Sequence, residues 1–515
     1  MTTAAETPAT PASPPPTTVQ GAAFKMWFQA YRIELILFVA SFAVLAMFSG
    51  QRFLRQSEAP QFVYQAKAWL EGHLDVDREV LPNIEDWACV RQGGSGPVRC
   101  TAPLQAGDKW YSSFPAFPSM AMAPFVVIHG YQLNDTSFGV IVGALALALM
   151  YSLLRLLQET EGTGRSLADN VTLALMLGFG TLFFYCAIRG EVWFSAEVMG
   201  VALTCLYLRN AVSARRPLLA GLFWSMAVLT RTPLFFTGIF FVFEAIAPEK
   251  GSRVNQIKTF LSAPKTAWPK LQNFILGALP LGLFAAITNK MRFGSFTEFG
   301  HRFFFNNRVN SDIDTFGLFH PNYLPRNLDA AFLRLPEFAQ GLLQYNPWGM
   351  SLFLTLPMMA LFFTSAKFEK RAWLATGAMA VTLIMSAVLP AQPGSAPVGE
   401  RSMVLWLILA ATLIFFVWLA LEWVNDAEVP RLAVPLLITL MACVVPGLMY
   451  QNTGYAQFGF RFSLDYTPYL VLLLAIGGWN LRKPFTMVLL GASLLVNFWG
   501  AVAFRGFTEL MRQWP

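Results

Sequence analysis

The chain has 515 residues, of which 55% are hydrophobic and 13% charged, a charged share about half that of a soluble domain. This composition excludes a water-soluble globular enzyme and points to a polytopic membrane protein whose first partner is the lipid bilayer. A net charge of +7 would suggest nucleic acid in a soluble chain, but the basic residues here fall in short loops between apolar runs, so no nucleic-acid partner is expected.

In chain order, residues 1–24 contain Thr10-Pro11-Ala12-Ser13-Pro14-Pro15-Pro16 and carry too little apolar surface to fold. They lack the basic, apolar, small-residue order of a signal peptide, and a disordered cytoplasmic tail is expected. The first span covers 35–50, with Lys25 and Arg32 ahead of it, which predicts a cytoplasmic N-terminus. A long polar loop, 51–136, follows. Further spans are predicted near 137–157, 170–187, 195–210, 217–231, 233–247 and 271–290. After a second polar loop, 291–346, the C-terminal part (347–515) adds spans near 347–364, 372–390, 402–422, 431–449, 462–479 and 484–504. The apolar stretch 114–131 decides the topology. Counted as a span, it turns the basic clusters Arg209 to Arg216, Lys250 to Lys270, Lys367 to Arg371 and Arg482-Lys483 outward. It is short and holds Pro118 and Pro124, so it is read as a helix on the outer membrane surface. The predicted fold is then an all-α bundle of about thirteen transmembrane helices. No internal repeat is evident.

This topology gathers polar groups on the outer face. The first loop carries Glu58, Asp75, Asp77, Glu85, Asp86 and Lys109. Arg189-Gly190-Glu191 and Glu197 follow the third span, Arg231 ends the fifth, and the second loop holds Arg292, Glu298, His301, Arg302, Arg308 and His320. The stretch Gln457 to Asp465, with Arg461, opens the twelfth span. Cys89 and Cys100 are the only cysteine pair in a water-facing loop. A disulfide between them would close a small ring and stabilise by about 3 kcal/mol in the chain-entropy model. Cys186, Cys205 and Cys443 lie in or beside spans and read as packing residues. Asp75-Val76-Asp77 and Asp312-Ile313-Asp314 have the spacing of a divalent-cation site, yet both also suit loop solvation. No metal and no other cofactor is expected.

The layout resembles the GT-C glycosyltransferases, among them the protein O-mannosyltransferases and the aminoarabinose transferase of lipid A. The matching residues are Ser57-Glu58 ahead of Tyr64 and Leu70-Glu71-Gly72, then Tyr111-Ser112-Ser113-Phe114-Pro115-Ala116-Phe117-Pro118. The family places an acid before a Tyr-containing amphipathic helix that ends in Leu-x-Gly, and a second acid after the third span, where this chain has Glu191 or Glu197. It usually has Asp, often in an Asp-Glu pair, where this chain has the single Glu58. The likeness covers roughly residues 30–290 and implies a GT-C-like core module over 25–290.

What the resemblance implies is transfer of a sugar from a polyprenyl-phosphate-linked donor to a hydroxyl or amine on an envelope glycan, lipid or protein, with inversion. The enzyme would be a multi-pass protein of the bacterial inner membrane with its active site extracytoplasmic. Such a reaction needs a carboxylate to take the acceptor's proton. Glu58 is the first candidate, ahead of Glu191 and Asp86; each also suits a local role, as a helix-capping or loop acid. The leaving phosphate needs fixed cations, which arginine forks suit best. Arg189, Arg231, Arg302 and Arg461 are the candidates, with Lys109 behind them. His301, Arg308, His320 and Tyr64 are the acceptor-side candidates. The Phe-rich stretch Phe235 to Phe243 would line a groove for the lipid tail, or simply face lipid. A lipid-linked sugar flippase or transporter is the alternative, as is an O-antigen polymerase or ligase. A transporter would need charge through the bilayer midplane, and the span centres are almost free of it.

Overall fold

In hydrocarbon a chain must satisfy its own backbone, and an isolated apolar segment can do so only as a helix. The computed structural model describes residues 16–82, 86–94, 96–246, 264–305, 309–339, 342–390 and 401–511, and these are mostly helical. Helix α1 (Pro16–Ser49) leads into the first loop, which holds α2 (Gln61–Leu70), strands β1 (Trp87–Gly93), β2 (Gly96–Arg99) and β3 (Lys109–Ser112), and α3 (Phe117–His129). Next come α4 (Asp135–Glu161), α5 (Leu167–Phe179), α6 (Phe183–Ala187), α7 (Val192–Ala211), α8 (Pro217–Val228), α9 (Gly238–Ile246) and α10 (Pro264–Phe293). The second loop carries α11 (Asn310–Phe316), α12 (Leu324–Leu328) and a hairpin of β4 (Glu337–Ala339) with β5 (Leu342–Gln344). The remaining helices are α13 (Leu352–Thr355), α14 (Glu369–Val388), α15 (Met403–Asn425), α16 (Ala433–Leu448), α17 (Thr467–Ile476) and α18 (Pro484–Met511).

Among the described residues, seven helices are long and apolar enough to cross a membrane: α1, α4, α7, α10, α14, α15 and α18. The other predicted spans take a different form. Those at 170–187, 217–231, 233–247, 431–449 and 462–479 give apolar helices of 10–17 residues. Gly180 caps α5 and splits 170–187 into α5 and α6. Pro468 opens α17, which stops at Gly477. The stretch 347–364 has no continuous helix. Its α13 ends as Leu356 turns out of the helical region before Pro357, where a tight 3-10 turn begins, as proline's missing N–H and bulky ring dictate.

The first loop also departs from an all-helical reading, because its strands pair antiparallel in the order β2-β1-β3. Both faces of β1 are buried over Trp87 to Val90. Trp87 and Cys89 pack with Trp110 and Phe305, while Ala88 and Val90 pack with Tyr111 and Phe293. Cys89 and Cys100 form a disulfide that staples β1 to the end of β2. The sheet is tied to the second loop: Phe305 N donates to Trp87 O at 3.1 Å, and Arg99 pairs with Asp314 at 2.5 Å. The predicted surface stretch 114–131 contains α3, a 13-residue helix with Phe125, Val127 and Ile128 exposed.

Helices α4 and α7 form the centre. The most apolar windows of these two are 72% and 83% buried within the protein, against 22% for α1 and α10. Helix α7 packs on α4 and α8, and α4 also packs on α1 and α5.

Candidate functional site

The start of α7 is where distant segments meet. Gly190 lies against the first turn of α4, and a Cβ there would sit 2.2 Å from Thr136 Oγ1, so only glycine permits the approach. Ser57 donates through N and Oγ to the Asp135 carboxylate at 2.7 and 2.6 Å. Two residues on, Val192 N donates to Ala59 O at 2.9 Å. Trp193 Nε1 donates to Asp86 Oδ2 at 3.0 Å, and the Asp86 carbonyl accepts from Ser113 Oγ. Asp86 has a φ of 56°, a left-handed conformation that a short polar side chain tolerates. The three acids singled out from the sequence are therefore all carried by segments bonded to residues 191–193.

One turn further along α7, Glu197 is fully buried and anchors an ionic network. Arg461 Nε donates to Glu197 Oε1 at 3.1 Å, and Arg231 reaches the same oxygen at 3.9 Å. Arg231 also grips Asp465 with two parallel bonds, 2.9 Å from Nε and 2.8 Å from Nη2. Burying such charges is costly unless they are paired, and arginines kept at the ends of apolar segments call for a function. Here both guanidiniums face a pocket of about 110 Å³ together with Asp86, Asp465 and His301. Its walls come from the first loop, α7, residues 230–233, the second loop and residues 447–465. The aromatic rings of Phe114, Trp193, Phe304, Tyr450 and Phe462 supply much of the lining.

The electrostatics follow from this setting. Two cations, Arg231 and Arg461, and two anions, Asp86 and Asp465, line the pocket. Burial against Phe304 and Tyr450, helped by the Arg231 charge, pushes the His301 imidazole down to about 4, so it is neutral at neutral pH. Burial, with a smaller push from Asp86, raises the Tyr450 hydroxyl, while a hydrogen bond with Gln451 and the Arg231 and Arg461 charges pull the other way. Burial alone would raise the Glu191 carboxyl, but Arg189 outweighs it and holds it below the usual carboxylate range.

The remaining sequence candidates are placed as follows. Glu191 is the residue ahead of α7, and its side chain turns from the helix end to Arg189, at 2.6 and 3.3 Å. Arg189 is buried and also donates to the Tyr185 hydroxyl at 3.0 Å. Glu58 is exposed and does not line the pocket. Arg302 is exposed beside Glu298, and Lys109 is exposed beside Asp75. His320 accepts from Asn322 N and stacks on Phe316, and it does not line the pocket. Tyr64 packs on Trp87 and Tyr131. Glu85 and Arg308 lie outside the described residues, as do residues 1–15 of the tail expected over 1–24, whose remaining residues open α1 instead of forming a disordered segment. Among the described residues, the only close cluster of metal-binding types is Cys89, Cys100 and Asp108. Both of its sulfurs are committed to the disulfide, and Asp108 is held by Arg91 at 2.7 Å. Sequence reasoning assigned no role to Asp465, Trp193 or Tyr450. Arg231 and Asp465 are 234 residues apart, and no local spacing signals such a pair. No protein-family model matches the chain, and no curated protein or solved structure matches it.

Proposed function

We propose that the protein is an integral-membrane glycosyltransferase that moves a sugar from a polyprenyl-phosphate-linked donor to a hydroxyl or amine acceptor, with inversion, in this pocket. The supporting observation is the meeting of one loop carboxylate, Asp86, with two arginines in a half-enclosed pocket, beside helices apolar enough to sit in a membrane.

In this reading Asp86 takes the proton from the acceptor as the new bond to the anomeric carbon forms, a role that needs reach before it needs a tuned pKa. The bond from that carbon to the phosphate oxygen breaks on the opposite face, and its electrons stay with the phosphate. Arg231 and Arg461 stabilise the charge that collects there, which is where fixed dipoles and cations contribute most to rate. Trp193 holds the Asp86 carboxylate by its indole N–H. Neutral His301 offers a hydrogen bond to an acceptor without adding charge. The lipid tail leaves past Thr232 and Pro233 of the pocket wall to the exposed apolar side chains of Phe235, Phe236, Ile239 and Val242.

Of the three candidate acids, Asp86 fits the base best, since Glu58 does not line the pocket and Glu191 is committed to Arg189. The test is consumption of polyprenyl-phosphate sugars by the reconstituted protein. Asp86→Asn is expected to slow turnover by about 100-fold or more, while Glu58→Gln stays within a few-fold of wild type. The reverse pattern would move the base to Glu58. Donor carried across the vesicle wall without loss of its sugar would replace the transferase by a flippase.

A further inference from the structure

The two pocket arginines share more than their acids. Arg231 and Arg461 both lie over the ring of Phe462, at 5.3 and 5.2 Å from its centre. Arg461 also lies over Phe194 at 5.3 Å, and Arg189 covers the same ring at 4.9 Å. Cations and rings thus alternate as Arg189, Phe194, Arg461, Phe462, Arg231. Like charges this close repel, and two features oppose that. Glu197 and Asp465 take up guanidinium N–H groups, while the negative ring faces attract the cations from the side. Phe462 is the one ring in the series that touches both pocket arginines and itself lines the pocket. Its neighbours Arg461 and Asp465 belong to the same short helical turn, Arg461–Asp465. One backbone segment therefore supplies an arginine, the spacer ring and the acid that grips the other arginine.

We propose that Phe462 is a positioning residue that sets the spacing of Arg231 and Arg461, so that both close on one phosphate as a pincer. The inference rests on the glycosyltransferase reading, because it names how that site would hold its leaving group. Without the ring, each arginine keeps its acid but loses the face that fixes its plane, and the pair no longer meets a single anion. An aliphatic side chain of similar bulk fills the space and supplies no quadrupole; tyrosine keeps the face.

The experiment measures binding of a polyprenyl monophosphate to the purified protein in nanodiscs across a salt series, for wild type, Phe462→Leu, Phe462→Met and Phe462→Tyr. Phe462→Leu and Phe462→Met are expected to bind about tenfold more weakly and with a shallower salt dependence, as one cation drops out of the contact. Phe462→Tyr is expected to restore both quantities. A folded aliphatic variant that binds as wild type does, with the same salt dependence, overturns the pincer and leaves the transferase reading standing. If both aliphatic variants unfold, a Phe462→Tyr protein that folds but binds tenfold more weakly overturns it equally. Wild-type protein indifferent to the phosphate overturns the transferase reading itself.

Discussion

Buried charge collects at both ends of α7, whose 20 residues span roughly 30 Å. At its start, Arg231, Arg461, Glu197 and Asp465 lie beside a pocket edged with aromatic rings. Past its other end, the Arg431 side chain is 21% exposed, and its guanidinium is taken up by two acids. It donates to Glu161 at 2.6 and 3.1 Å and to Glu244 at 2.8 and 2.9 Å, and Glu244 accepts from Ser213 N as well. None of those residues lines the pocket. The Arg431 cluster joins α4, the turn after α7, α9 and the segment ahead of α16, and its polar groups are spent on each other. The Arg231–Arg461 cluster carries two arginines where one would tie its acids together, and it presents both to open space. A cluster whose polar groups are spent on each other fixes a fold; one that turns opposite charges and rings toward a pocket suits a ligand.

Substitution at each end should separate the two. Arg461→Leu is expected to cost between about 100-fold and 1000-fold in sugar transfer per folded molecule. Arg431→Leu should leave transfer per folded molecule unchanged and instead lower stability by about 3 kcal/mol or more, since it strands two carboxylates. Turnover normalised to the folded fraction, read beside thermal unfolding in detergent, distinguishes the outcomes. Equal loss of turnover at both ends would erase the contrast.

A smaller effect sharpens it. The folded imidazole of His301 refuses a proton until about pH 4, against 6.5 ordinarily. Between those values the unfolded chain binds the extra proton, so stability rises with pH there. The contribution is fully present above pH 6.5 and is lost as pH falls toward 4. His301→Gln should flatten this part of the stability–pH curve, measured as the unfolding midpoint at pH 7 and pH 5. A wild-type midpoint that rises on acidification would contradict the assignment.

Much of the frame was legible in the residues. Uninterrupted apolar runs mark α1, α4, α7, α10, α14, α15 and α18, because length and hydropathy are local properties. Breaks were less legible: the sequence stretches at 170–187 and 347–364 are mostly apolar and carry no charge, and Gly180 and Pro357 interrupt them by backbone geometry that hydropathy does not register. The first-loop sheet was missed because β1 buries both faces over Trp87 to Val90, so the alternation that marks a half-exposed strand is absent. Within the site, Arg231 and Arg461 stood out as charges at the ends of apolar runs. The acids that hold them did not, since Glu197 and Arg461 are 264 residues apart and only the packing of α7 brings them together. The choice among Glu58, Glu191 and Asp86 likewise turns on which loop folds over the pocket, and no spacing rule contains that.

The most direct test of the account is where a lipid phosphate binds. A photoreactive polyprenyl monophosphate, crosslinked to the reconstituted protein and mapped by peptide sequencing, should mark the segments around Thr230 to Pro233 and Tyr450 to Asn452, and the marks should fade in Arg461→Leu. Crosslinks confined to the Arg431 end of α7, or crosslinks at the pocket that survive Arg461→Leu undiminished, would contradict it.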